Sequence, residues 1–103
     1  MNGNINMKTL PLKTRKNDFD YDQVIRGGGY ALYRQTVSQN EHSYELFEIR
    51  IKPERELDGE LLEAREAFPH DEALGSWAWT YPTLKEALTA LYEKSGIKYH
   101  WIS

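Results

Sequence analysis

The sequence predicts an α+β fold: a small antiparallel sheet of roughly three to five strands, with one main C-terminal helix packed on one face. Two stretches carry this prediction. Residues 77–81, Trp-Ala-Trp-Thr-Tyr, alternate aromatic and small side chains with the period of two that a strand requires. Residues 83–96 then hold a complete helix signature, and a hairpin pattern lies upstream between residues 30 and 52.

The helix follows from its ends. Pro82 lacks a backbone N–H and stops the strand. Thr83 and Glu86 have the Thr-x-x-Glu spacing of a capping box. Leu84, Ala87, Leu88, Leu91 and Tyr92 fall on one stripe at spacings of three and four. Lys94 suits the negative helix end, and Gly96 suits the left-handed position after it. The helix is expected over 84–95. The expected core is Phe47, Ile49, Ile51, Trp77, Trp79, Tyr81, Leu84, Leu88 and Leu91.

Upstream, residues 8–16 read as an edge strand or an extended basic arm, since Pro11 excludes a central strand. In Asp18-Phe19-Asp20-Tyr21-Asp22 the aromatics are expected to face a hydrophobic patch and the aspartates to face water. Gly27-Gly28-Gly29 precedes strand-like residues, so it reads as a turn rather than a phosphate loop, which needs a helix after it. Residues 30–37 and 44–52 form the expected hairpin, joined by a polar 38–43 connection. Residues 60–68 admit two readings. One is a short helix, with apolar residues at 61, 64, 67 and 68; the other is an extended excursion turning at Asp58-Gly59. Residues 69–75 read as a single helical turn closing at Gly75. Residues 97–102 alternate like a last strand.

The 103 residues predict one domain, 8–103, preceded by a disordered Asn-rich extension at 1–7 without the apolar stretch of a secretory signal. There is no cysteine, hence no disulfide and no thiolate chemistry. No apolar run approaches the ~18 residues of a membrane span, and the expected location is the cytoplasm. The net charge of −3 is unevenly spread: +3 over residues 1–40, −7 over 41–72 and +1 over 73–103. An acidic chain argues against general nucleic-acid binding, which depends on phosphate neutralisation.

Chemistry is sparse. The three histidines have no metal-ligand spacing, and the Asp18–Asp22 run lacks the glycine and glutamate of a calcium loop. No nucleophile elbow occurs. No catalytic residue, metal or cofactor is expected, and the chain is read as a non-enzyme.

Tyr44-Glu45-Leu46-Phe47-Glu48-Ile49-Arg50, Pro69-His70-Asp71-Glu72-Ala73-Leu74-Gly75, and Trp77-Ala78-Trp79-Thr80-Tyr81 with Thr83-Leu84 and Ala87 stand in sequence. This order resembles a group of small uncharacterised proteins of prophages and other bacterial mobile elements. The likeness spans about residues 44–91, roughly half the chain. The acidic segment 53–68 and the long N-terminal region depart from it. The resemblance implies a bacterial or phage origin and supplies no activity.

One helix covers one sheet face, so the other face is expected to stay partly open and to present Tyr33, Tyr44, Leu46 and Arg50. Aromatics beside arginine are typical of protein hot spots. The expected function is a non-enzymatic protein-binding module using these four residues and the acidic segment, as a monomer or weak homodimer. The alternative is a single-stranded nucleic-acid binder using the aromatic sheet face and the basic N-terminal arm.

Overall fold

Tight turns set the strand order. Asn17-Asp18, Gly28-Gly29 and Asp58-Gly59 each place two successive residues at positive φ, between 52° and 85°. That geometry matches the twist of paired strands and closes a hairpin in two residues. The computed structural model describes residues 7–96. In chain order its elements are β1 (Lys13–Lys16), β2 (Phe19–Gly27), β3 (Tyr30–Ser38), β4 (Glu41–Glu48), β5 (Arg50–Lys52), β6 (Arg55–Leu57), β7 (Glu60–Leu62) and β8 (Arg65–Ala67). A 3-10 turn (Asp71–Ala73), β9 (Ala78–Tyr81) and α1 (Leu84–Ser95) follow.

The main sheet has five antiparallel strands in the order β1-β2-β3-β4-β9. The β3–β4 connection is shorter than the sequence predicts, because His42 and Ser43 already pair with Thr36 and Gln35. A bulge between Gln23 and Ile25 reverses the facing of β2, so that Tyr21 and Ile25 serve different cores.

Helix α1 covers one face. Leu32 and Leu46 meet Ala87, Leu88, Ala90 and Leu91 there, with Tyr44, Tyr81 and Leu84 at the margin. Thr83 caps the helix: the Glu86 N–H donates to its hydroxyl oxygen at 3.1 Å. The hydroxyl in turn donates to the Glu86 carboxylate, so the expected box closes through the side chain. Gly96 ends the helix at φ 79°.

The second face is covered too, which corrects the expectation of an open one. Leu10 from the N-terminal arm, and Phe68, Ala73 and Trp77 from the segment before β9, pack on Tyr21, Ala31, Tyr33, Phe47 and Ala78. Phe68 sits edge-on to Tyr21, Tyr33 and Phe47, at centroid distances of 5.0–5.3 Å. Strand β3 is therefore buried on both sides. This explains why Tyr30, Ala31, Leu32 and Tyr33 show no clean alternation.

Of the expected core, Phe47, Leu88 and Leu91 are buried, while Ile49, Trp77, Trp79, Tyr81 and Leu84 are half-buried. Ile51 is corrected: it leaves the sheet with β5 and is 49% exposed. The short helix considered for 60–68 does not form; the extended excursion turning at Asp58-Gly59 does. The strand expected at 97–102, like residues 1–6 of the N-terminal extension, lies outside the described residues.

Candidate protein-binding surface

Residues 50–67 form one long β-ribbon. At its base β5 pairs with β8, Arg50 opposite Ala67 and Lys52 opposite Arg65. Pro53 cannot donate to the ladder, and pairing lapses through Pro53-Glu54 and Glu63-Ala64. It resumes between β6 and β7, with Arg55 opposite Leu62, Glu56 opposite Leu61 and Leu57 opposite Glu60. Asp58 and Gly59, at φ 52° and 81°, close the tip.

The base is fixed to the body. The Lys8 N–H donates to the Ala64 carbonyl at 3.1 Å, and the Glu66 N–H donates to the Lys8 carbonyl at 2.8 Å. The Glu66 carboxylate accepts two hydrogen bonds from the Arg26 guanidinium and one from the Leu10 N–H, each at 2.8 Å. Its side chain is 6% exposed. The Arg26 hydrogen bonds hold the Glu66 carboxyl below its ordinary range, against the upward push of burial.

Beyond the base the ribbon touches little. Residues 51–61 are all exposed, including Leu57 at 51% and Leu61 at 65%. Opposed residues share a face, so Leu57 and Leu62 lie on one side and Leu61 with Glu56 on the other. Glu54, Glu56, Asp58, Glu60 and Glu63 against Arg55 leave residues 54–63 with a net charge of −4. None of these five carboxylates forms an ion pair or hydrogen bond with another described residue. Elsewhere Asp20, Asp22, Glu48 and Glu66 are each paired with a lysine or arginine.

Beside the base lies an aromatic spot. The Arg50 guanidinium sits over the Trp77 ring at 4.8 Å and is held by Glu48 at 2.9 Å. His70 meets the same indole edge-on at 6.2 Å.

The four residues expected to form an open face are not brought together. Tyr33 and Leu46 are fully buried, and they lie on opposite faces of the sheet. Tyr44 is half-buried at the margin of the helix-side core, and Arg50 alone is exposed. The physical reason is the second cover: the segment from Phe68 to Trp77 occupies the space assumed to be solvent. The same cover removes Tyr33 as a stacking platform for bases. The basic arm is also engaged, with Lys13 on Asp22 at 2.7 Å and Arg15 on Asp20 at 2.9 Å. The exposed leucines of the ribbon were not singled out from the sequence. Asp-Gly between alternating residues was the signal for them, and the helix propensity of residues 60–68 obscured it.

Among the described residues no group of three or more His, Asp or Glu side chains gathers as a metal site, and no helix is long and apolar enough to cross a membrane. No protein-family model, curated protein or solved structure matches the chain.

Proposed function

We propose that this protein is a non-enzymatic protein-binding module whose contact element is the 50–67 ribbon. The observation that carries the reading is the exposure of residues 51–61 together with Leu57 and Leu61. A two-stranded ribbon in water is marginal without a surface to lie against, and the Arg50–Trp77 pair at its base is of the residue types enriched at protein hot spots. The net charge of −4 over residues 54–63 selects a basic partner surface and speeds encounter with it. In the setting that the resemblance implies, the protein acts in the bacterial cytoplasm as a mobile-element accessory that occupies, and so inhibits, a host-defence protein.

Site-specific photo-cross-linking tests this. A photoreactive residue at position 61 is expected to give a discrete protein adduct in cells, whereas the same residue at exposed position 89 on α1 gives none. Adducts equal at both positions, or absent from position 61, would refute the ribbon as the contact element.

A further inference from the structure

The tip of the ribbon carries a chemistry that is independent of any partner. Asp58-Gly59 is the one Asp-Gly or Asn-Gly step among the described residues. In such a step the aspartate carboxyl carbon lies one five-membered ring away from the next backbone nitrogen. Glycine leaves that nitrogen without a side chain beside it.

The geometry of the turn keeps both reacting groups free. The β6–β7 ladder closes on the pair Leu57 and Glu60, so the Gly59 N–H lies outside it. That N–H donates to no other described residue, and the Asp58 carboxylate accepts from none. A Cβ at Gly59 would meet no atom within 4 Å, so there is room for the backbone to turn. Asp58 stands at φ 52°, a left-handed conformation that aspartate tolerates but does not favour. The tip packs on neither core, so rotating the Gly59 nitrogen onto the Asp58 carboxyl carbon requires local opening only.

The other described aspartates lack this combination. Arg15 holds Asp20 at 2.9 Å and Lys13 holds Asp22 at 2.7 Å. The N–H that follows Asp22, that of Gln23, is donated to the Leu12 carbonyl at 2.8 Å. Asp18 precedes Phe19 and Asp71 precedes Glu72, and in each case a side chain crowds the nitrogen.

We propose that Asp58 is a site of spontaneous covalent modification, where the turn cyclises to a succinimide and reopens as isoaspartate. The Gly59 nitrogen forms a bond to Asp58 Cγ. The hydroxyl of the neutral carboxyl leaves with the proton of that nitrogen, as water. A water molecule then cleaves one of the two imide C–N bonds. Cleavage at Cγ restores aspartate. Cleavage at the former peptide carbonyl carbon leaves the chain running through Cβ and Cγ, with the α-carboxylate as the new side group. The charge is unchanged, and the connection is one methylene longer. Loop length fixes the register of a hairpin, so the isoaspartyl form loses the pairing of β6 with β7.

The test is ageing of the intact purified chain near neutral pH at physiological temperature for several weeks. Digestion and electron-transfer mass spectrometry, which separates aspartate from isoaspartate, read each position. Isoaspartate is expected to accumulate at position 58 and not at Asp18, Asp20, Asp22 or Asp71. The folded chain should convert within about tenfold of the rate of the same chain unfolded in guanidinium chloride, since tip opening costs little. Asp58→Asn keeps the turn chemistry and passes through the same succinimide with loss of ammonia, so it should convert faster and give the same two products. In the isoaspartyl fraction, amide exchange should quicken from Arg55 to Leu62. Position 58 remaining aspartate in the folded chain would overturn the proposal, whether or not the unfolded chain converts. So would equal conversion at the other aspartates, or an Asp58→Asn variant that does not deamidate. An isoaspartyl fraction with the exchange of the parent would overturn the loss of pairing.

Discussion

Glu66 is the residue on which the ribbon's attachment turns. Three hydrogen bonds converge on a carboxylate whose side chain is 6% exposed, two from Arg26 and one from the Leu10 N–H. Replacing it with glutamine leaves a guanidinium without its charge partner, and bonds to charged groups are worth about 1.5–3 kcal/mol each. Glu66→Gln is therefore expected to lower stability by about 2 kcal/mol in urea titration at neutral pH. The pH dependence has a definite sign. The folded-state pKa lies below the ordinary value of 4.5, so the contribution is present above 4.5. It is lost as pH falls through the depressed folded value. The Glu66→Gln variant should lose less stability than the parent over that acid interval. Glu45 has the opposite sign. Burial pushes its carboxyl up, Lys16 pulls it down less, and no hydrogen bond from a described residue holds it. Its cost appears as pH rises through the raised value. Neither environment was legible in the sequence, because Glu66 meets Arg26 across 40 residues and Leu10 across 56.

At the scale of elements, α1 and the ribbon form a contrast. The bounds of α1, 84–95, stand in the sequence because Pro82, Thr83, Glu86, Lys94 and Gly96 act within a turn of where they sit. The distal ribbon is one of two readings, since residues 60–68 consist of good helix formers and only the Asp58-Gly59 turn argues for pairing. That turn needs positive φ at both residues, and only Gly59 adopts it without strain. A Cβ at Gly59 meets no atom within 4 Å, so the cost of Gly59→Ala is conformational, about 1–2 kcal/mol. The loss should stay local. Amide exchange is expected to quicken from Arg55 to Leu62, while the urea midpoint of the whole molecule holds, because the distal ribbon packs on neither core. A lowered midpoint with unchanged ribbon exchange would show that the ribbon is integral to the folded body.

At the scale of the molecule, two cores share one sheet and an acidic ribbon extends from it. The radius of gyration is 15.3 Å, above the ~13 Å of a compact domain of this size. The ribbon adds length without adding to either core. The fold class was legible because alternation and capping are local signals. The second cover was not, since Leu10, Phe68 and Trp77 reach one face from three distant parts of the chain. With both faces filled, Tyr33, Leu46 and Phe47 are withdrawn, and the large apolar side chains still exposed among the described residues include Leu12, Val24, Val37, Leu74 and Tyr92 as well as Ile51, Leu57 and Leu61 of the ribbon.

The most direct measurement is a two-dimensional amide spectrum of the isotope-labelled chain, recorded alone and then with fractions of a cell lysate. One fraction is expected to broaden selectively the signals of residues 50–67, with an effect that weakens with added salt and is absent from the variant carrying Glu54→Lys, Glu56→Lys, Glu60→Lys and Glu63→Lys. Broadening centred on α1 or on β1 and β2, with the ribbon signals unchanged, would contradict it.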